Sequence, residues 1–432
     1  MARRLNARAA DFQAQFEALL STGRDAQEDV ATQVRAIMAD VRVRGDDALI
    51  DYAKRYDRVT LDAATLRVGA DEIDAAEAQC GKAALQALDV AATRIEAYHR
   101  RQLPRDISFT DETGTTLGWR WTPIDSVGLY VPGGTASYPS SVLMNAVPAR
   151  VAGVSRVAMV TPATDGAINP LTLAAAKRAG VSEIYRVGGA QAIAALAYGT
   201  CTIPAVDKIV GPGNAYVAAA KREVFGRVGI DSIAGPSEIL VIADAANNAD
   251  WIAADLLSQA EHDASSQSIL ITDDESFADT VAEAVDRALL LLPRRDIAGA
   301  SWRDFGAIIV VEDMEQGAAL ANRIAPEHLE LAVGDWKTLL ANVKHAGAIF
   351  LGKHTPEAMG DYIAGPNHVL PTARSARFSS GLSVLDFMKR TTLLSCSPQS
   401  IARLGPDAVV LAEAEGLEAH ARSIAGRLNL KQ

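Results

Sequence analysis

Cysteine is scarce in this chain: Cys80, Cys201 and Cys396 are the only three among 432 residues, and no two form a C-x-x-C pair. That excludes a disulfide framework and a thiolate metal site, and it makes a reducing cytoplasm the expected compartment. No block of lysine or arginine occurs and the formal net charge is −11, which sets nucleic acid and anionic membranes aside as partners. No apolar run approaches the roughly 18 residues that a membrane helix needs. The opening stretch MARRLNARAADFQAQFEALL has early arginines but no apolar core, and it meets acid by Asp11, so a secretory leader is not expected. Aromatics are sparse at 5%, although 49% hydrophobic and 22% charged residues are the composition of an ordinary globular protein.

The length allows two or more domains with substantial cores. Residues 1–25 predict a helical arm, with Phe12, Phe16 and Leu19 or Leu20 at helical spacing. Residues 25–99 are mostly helical in pattern, interrupted by the strand-like TLRVGA, and around Trp119 short strands mix with proline and glycine turns. Strand and helix patterns then alternate through SRVAMVTP, NPLTLAAAKRAG, SEIYRVGG, AQAIAALAYG, DKIVGP and NAYVAAAKREVFG. Such alternation predicts right-handed βαβ units and a parallel sheet with helices on both faces. SEILVIADA opens a second such series that runs to AIFLG. The expected fold is therefore α/β, with two Rossmann-like domains. Residues 130–238 form one; residues 239–381, completed by the early helices of 26–129, form the other. Residues 382–432 read as a mainly helical tail.

Polar clusters stand at the seams. VGLYVPGG (127–134), RVGGAQ (186–191) and VGPGN (210–214) each follow a predicted strand, where glycine lets backbone N–H groups approach a phosphate. Three such turns suggest a nucleotide or phosphate ligand, although none is a G-x-G-x-x-G fingerprint and glycine also simply makes tight turns. The stretch from Asp250 to His262 reads as a helix with Asp250 as N-cap; its last turn carries Gln259 and His262 on one face, and Asp255 shares that face. AGPSEI (234–239) sets Ser237 between a turn and a strand, and IAPEHLEL (324–331) places Glu327 beside His328 just before a strand. A carboxylate next to an imidazole supplies two proton acceptors of different pKa, as successive proton transfers require. AMGDYIAGPNHVLPT (358–372) reads as a loop carrying Asp361 and His368, and in EAEGLEAH (413–420) a break at Gly416 would let Glu415 and His420 converge. Spacing leaves open whether Gln259, His262, Asp361 and His420 share one metal, and Asp255 stays a candidate. Oxygen and imidazole donors suit Zn²⁺, with Mn²⁺ or Co²⁺ possible.

The ordered motifs GLYVPGG, GGAQAIAALA, GPGN, AGPSE, LLSQAEH, APEHLE, GDY-x-x-G-x-NHVLPT and EGLEAH span nearly the whole chain. Together they closely resemble the histidinol dehydrogenase family. The resemblance implies oxidation of L-histidinol through L-histidinaldehyde to L-histidine, with two NAD⁺ per turnover and one Zn²⁺ per subunit. It implies zinc on Gln259, His262, Asp361 and His420, which removes Asp255 from the set. It puts NAD⁺ against Tyr130, Gln191 and Asn214, hence on the 130–238 domain, and substrate against Ser237, His328, His368 and Glu415 as well as the metal ligands. His328 is then the base for both hydride transfers and Glu327 activates the water that hydrates the aldehyde. The family is a homodimer whose tail crosses to the partner, so Glu415 and His420 would complete the neighbour's site. Two other readings remain: a dehydrogenase of the same fold for another small alcohol such as a hydroxy-sulfonate, and a non-catalytic small-molecule or zinc-binding protein. Glu327, Glu415 and His368 together favour a cationic amine over a sulfonate.

Overall fold

The computed structural model describes residues 2–21, 30–133, 138–233 and 235–428. The end of the expected arm (22–25), Gly134, Ala234 and the last four residues lie outside them. Two parallel sheets dominate. The larger has six strands, in spatial order Arg3–Asn6, Ala307–Val310, Gln267–Thr272, Glu238–Ala243, His328–Ala332 and Ala348–Leu351. Its central strands are buried along their whole length, as expected where helices cover both faces. Alternation along them feeds two cores. Leu240, Ile242, Ile269 and Ile271 pack with Phe12, Phe16 and Leu19 of the arm on one face. Ile239, Val241 and Leu270 pack with Ile252 and Leu256 of the helix Ala249–Ala260 on the other. The arm is thus a strand followed by a helix, not a helix alone. RRLN adds an edge strand to Ala307–Val310 because its backbone finds a free parallel partner there, although only Leu5 is buried.

The second parallel sheet runs Glu183–Arg186, Arg156–Thr161, Ser126–Tyr130, Lys208–Val210 and Gly229–Ile230. Chain order reverses between Ser126–Tyr130 and Lys208–Val210, so the carboxyl ends of these two strands flank a topological switch point, the usual crevice for a ligand. The early helices, grouped on sequence with residues 239–381, bury their apolar faces against this sheet instead. Val34, Ile37 and Leu49 share a core with Ile193 and Ile209, while Leu88 and Ile95 share one with Leu129 and Leu143. TLRVGA contributes a single bridge, Arg67 to Tyr185, and no strand.

A third sheet is antiparallel and joins segments that the sequence pattern does not pair. Met388–Ser395 of the tail pairs along its length with Thr116–Pro123, which pairs in turn with Ile107–Thr110. After this strand the tail is helical, in Pro398–Ala414 and Glu418–Ala425, with Gly416 at φ +73° between them. No helix among the described residues is long and apolar enough to cross a membrane.

Candidate active site

A cavity of 540 Å³ opens between the two parallel sheets. The smaller sheet offers the carboxyl edge of its switch point, with Gly211–Asn214 lining the cavity; the larger offers the amino ends of two strands, where Ser237, Glu327 and His328 line it.

On the floor, Glu327 and Glu238 brace each other. The Glu238 N–H donates to Glu327 Oε2 at 3.0 Å, and the Glu327 N–H donates to Glu238 Oε2 at 3.3 Å. His328 donates from Nδ1 to the Glu238 carbonyl at 2.9 Å, which fixes its tautomer and leaves Nε2 buried without a hydrogen-bond partner. That nitrogen stands 3.8 Å from Glu357 Oε1 and 3.7 Å from Asp361 Oδ1, beyond hydrogen-bonding distance of either.

Glu357 is not singled out by the sequence, because the stretch that it opens reads as a loop from residue 358 onward. That stretch in fact begins as a short helix, Glu357–Tyr362, begun by Pro356 and anchored by the Glu357 N–H donating to Glu330 Oε1 at 2.6 Å. Pro356 suits a helix start, and the turn puts Glu357 and Asp361, four apart, on one face. That spacing was the available signal. His328, Glu357 and Asp361 have donor atoms that all lie within 4.8 Å of one another.

The helix behind them is Ala249–Ala260, capped by Asn248, whose side chain accepts from the Asp250 N–H at 2.8 Å. Asp250 is therefore its second residue and not the cap, and His262 lies just beyond its end. Gln259 is buried at 1% exposure, yet neither amide atom reaches hydrogen-bonding geometry. His262 is exposed and donates from Nδ1 to the Ser258 carbonyl at 2.9 Å. His368 is held between the Asp361 carbonyl, 3.1 Å from Nδ1, and Ser141 Oγ, 3.3 Å from Nε2. Asp255 does not line the cavity; its carboxyl meets that of the buried Glu330, and burial pushes Asp255 up to about 6.

Charge is concentrated here. Burial pushes Glu327 up to about 8, helped by Glu238 and opposed by His328. Burial and then Asp361 push Glu357 up to about 7. For Asp361 burial is outweighed by His328 and His368, so it stays ionised below the usual carboxylate range. For His328 burial is outweighed by Glu327, Asp361 and Glu357, which push it up to about 10. A pocket with this excess of carboxylate suits a cation, whose positive charge would oppose the part of the rise at His328 that Asp361 and Glu357 cause.

The orphaned atoms say the same. An unsatisfied buried polar group costs about 1–3 kcal/mol, and both Gln259 amide atoms, Glu357 Oε1 and His328 Nε2 are in that state together. Gln259, His262 and Asp361 line one cavity and offer an amide, an imidazole and a carboxylate. That donor set fits a borderline divalent metal.

Of the residues matched to NAD⁺, Asn214 lines the cavity, while Tyr130 and Gln191 lie buried behind the glycine turns. The Tyr130 hydroxyl accepts from the Gly189 N–H at 3.1 Å, and burial pushes it up to about 12. Glu415 and His420 are not brought to this cavity; both are exposed on the tail.

A family model for histidinol dehydrogenase matches residues 20–428. The chain belongs to the histidinol dehydrogenase family. It is 66% identical to the histidinol dehydrogenase of Rhodospirillum rubrum over 430 residues, covering 99% of each chain. With that of Rhizobium meliloti it shares 64% over 430 residues, 100% of this chain and 99% of the other. The fold agrees with the crystal structure of histidinol dehydrogenase from Elizabethkingia anophelis at a TM-score of 0.95 and 38% identity, covering 99% of this chain and 98% of that one. Membership makes the chain an NAD-dependent dehydrogenase of histidine biosynthesis.

Proposed function

We propose that this cavity oxidises L-histidinol to L-histidine by two successive hydride transfers, with L-histidinaldehyde held in place between them. The observation that carries the reading is His328 Nε2: a buried imidazole nitrogen, its tautomer fixed by the Glu238 carbonyl, facing an acid-rich cavity with no partner of its own. Such a nitrogen is positioned to accept the alcohol proton while hydride leaves the adjacent carbon. NAD⁺, two per turnover, supplies the redox capacity by accepting each hydride.

The aldehyde carbon must gain a water oxygen before a second hydride can leave. Glu327, a buried carboxyl with its pKa raised towards neutrality and 3.7 Å from His328 Nδ1, takes the water proton as hydroxide adds, while His328 returns the proton it took from the alcohol to the carbonyl oxygen, giving the gem-diol and a neutral imidazole. His328 then accepts a diol hydroxyl proton in the second transfer. Holding the aldehyde in place between the two transfers keeps a reactive intermediate from escaping.

Zn²⁺, one per subunit, would be held by Gln259, His262 and Asp361 with His420 from a neighbour's tail; bound, it supplies a Lewis-acid anchor that orients the substrate's nitrogens. Glu357 adds negative charge where a cationic amine would sit. Tyr130, Gln191 and Asn214 serve the dinucleotide, Ser237, His368 and Glu415 the substrate. The exposed tail residues Leu411 and Leu417, 65% and 43% accessible, fit a homodimer in which the tails exchange. Three free cysteines suit work in the cytoplasm. The same donors disfavour a hydroxy-sulfonate, because Glu327 and Glu357 would repel it.

The test compares NADH formation from L-histidinol and from a hydroxy-sulfonate with the zinc-loaded protein. Turnover of histidinol alone is expected. Preference for the sulfonate would overturn the substrate assignment.

A further inference from the structure

Lys221 and Asp231 form a buried ion pair, their side chains 3% and 4% exposed, that lines the same cavity. Neither belongs to the chemistry described above. Both grip the same residue: Lys221 Nζ donates to the Gly211 carbonyl at 3.0 Å, and the Gly211 N–H donates to Asp231 Oδ2 at 2.8 Å. The remaining Asp231 oxygen accepts from Lys221 Nζ, closing the loop.

Gly211 has reason to be gripped. Its φ is +113°, and a Cβ there would meet the Tyr130 carbonyl oxygen at 2.2 Å, so the turn runs against the neighbouring strand in a conformation reserved for glycine. Three residues on, Asn214 caps the helix Ala215–Val224, its side-chain oxygen accepting from Tyr216 and Val217 N–H at 3.1 and 3.2 Å. The amide NH₂ of Asn214 is left as a donor at the cavity wall. Lys221 lies two turns along that same helix. The pair therefore ties the helix, the turn before it and the strand after it into one unit whose exposed corner is Asn214.

We propose that Lys221 and Asp231 are positioning residues for the dinucleotide: by fixing both peptide groups of Gly211 they set the place of the Gly211–Asn214 turn, and so the affinity for NAD(H). The inference rests on the reading that this turn binds the cofactor.

Asp231→Asn, Lys221→Met and the charge-free double variant are titrated with NADH by fluorescence, as metal-loaded full-length protein, beside Asn214→Ala. The single variants raise the Kd for NADH and the KM for NAD⁺ by about tenfold, the scale of a lost charge-assisted hydrogen bond, with the KM for histidinol and the bound metal unchanged. The double variant leaves no buried unpaired charge, so its Tm recovers while its NADH affinity stays weak; a merely structural pair would recover both. Should the single variants not fold, the double variant carries the test. A folded, metal-loaded variant that binds NADH within twofold of wild type overturns the proposal. If Asn214→Ala weakens NADH binding in that case, only the role of the pair falls; if it does not, the cofactor reading of the turn falls too.

Discussion

Glu327→Gln separates the two halves of the reaction. Glu327 is 7% exposed and its carboxylate accepts from the Glu238 N–H at 3.0 Å, a bond that a glutamine oxygen can keep. The shape of the site should survive, and what is lost is charge and basicity. Two consequences follow, with opposite signs. Water addition to the aldehyde loses its base, which costs about 10²–10⁴ in rate, or roughly 3–5 kcal/mol of barrier. His328, held up to about 10 chiefly by Glu327 against its burial, loses that support and becomes easier to deprotonate. The first hydride transfer is thus retained or quickened while the second fails. In a single-turnover stopped-flow experiment with excess zinc-loaded enzyme and NAD⁺, wild type releases two NADH per histidinol in quick succession. The variant releases one, with the second slower by about a hundredfold or more. L-Histidinaldehyde supplied directly shows the same loss. Aldehyde oxidation within about tenfold of wild type, with metal retained, would refute the assignment of Glu327 as the water's base.

Other outcomes follow from the same structure. If the tail completes the neighbour's site, Glu327→Gln subunits, which fail at the second oxidation, and His420→Asn subunits, unfolded together and refolded, form heterodimers with one intact site each. About a quarter of wild-type histidine formation returns, whereas a tail serving its own subunit returns none. Glu357→Gln removes charge from a 2% exposed carboxylate facing the cavity, and raises the KM for histidinol about tenfold; an unchanged KM places the amine elsewhere. Asp57, 8% exposed with one oxygen unpaired, is pushed up to about 6 by burial. A folded-state pKa raised above the unfolded 3.8 means stability is full below 3.8 and is lost as pH rises through 6. Asp57→Asn therefore stabilises at pH 8 by up to about 3 kcal/mol, an advantage that shrinks as pH falls towards 4; a pH-independent Tm difference would contradict it.

Much of this was legible in the sequence because the governing signals are local. The Phe12, Phe16 and Leu19 spacing, the alternating strands and helices, and the turns after Tyr130, Arg186 and Val210 depend on period and on glycine, and the folded chain keeps them. What was hidden depends on partners distant in sequence. RRLN is too polar to read as a strand until Ala307–Val310 offers its edge, and MKRTTLLS pairs with Thr116–Pro123 from more than 260 residues away in register. Whether the early helices cover one sheet or the other is decided by packing, which amphipathic spacing does not encode. Glu357 was masked by the glycines and prolines around it, although its distance from Asp361 is a helical one. The EH pair and the Gln259–His262 pair were visible as chemistry; that they face one cavity became apparent only when the amino edge of one sheet met the carboxyl edge of the other.

The central claim is that one metal-dependent cavity carries out both oxidations. Its most direct test is NADH absorbance with limiting L-histidinol and excess NAD⁺, before and after chelation. Two NADH per histidinol, abolished by the chelator and restored by Zn²⁺, is the expected result. One NADH per histidinol with free aldehyde accumulating, or full turnover by metal-free protein, would contradict it.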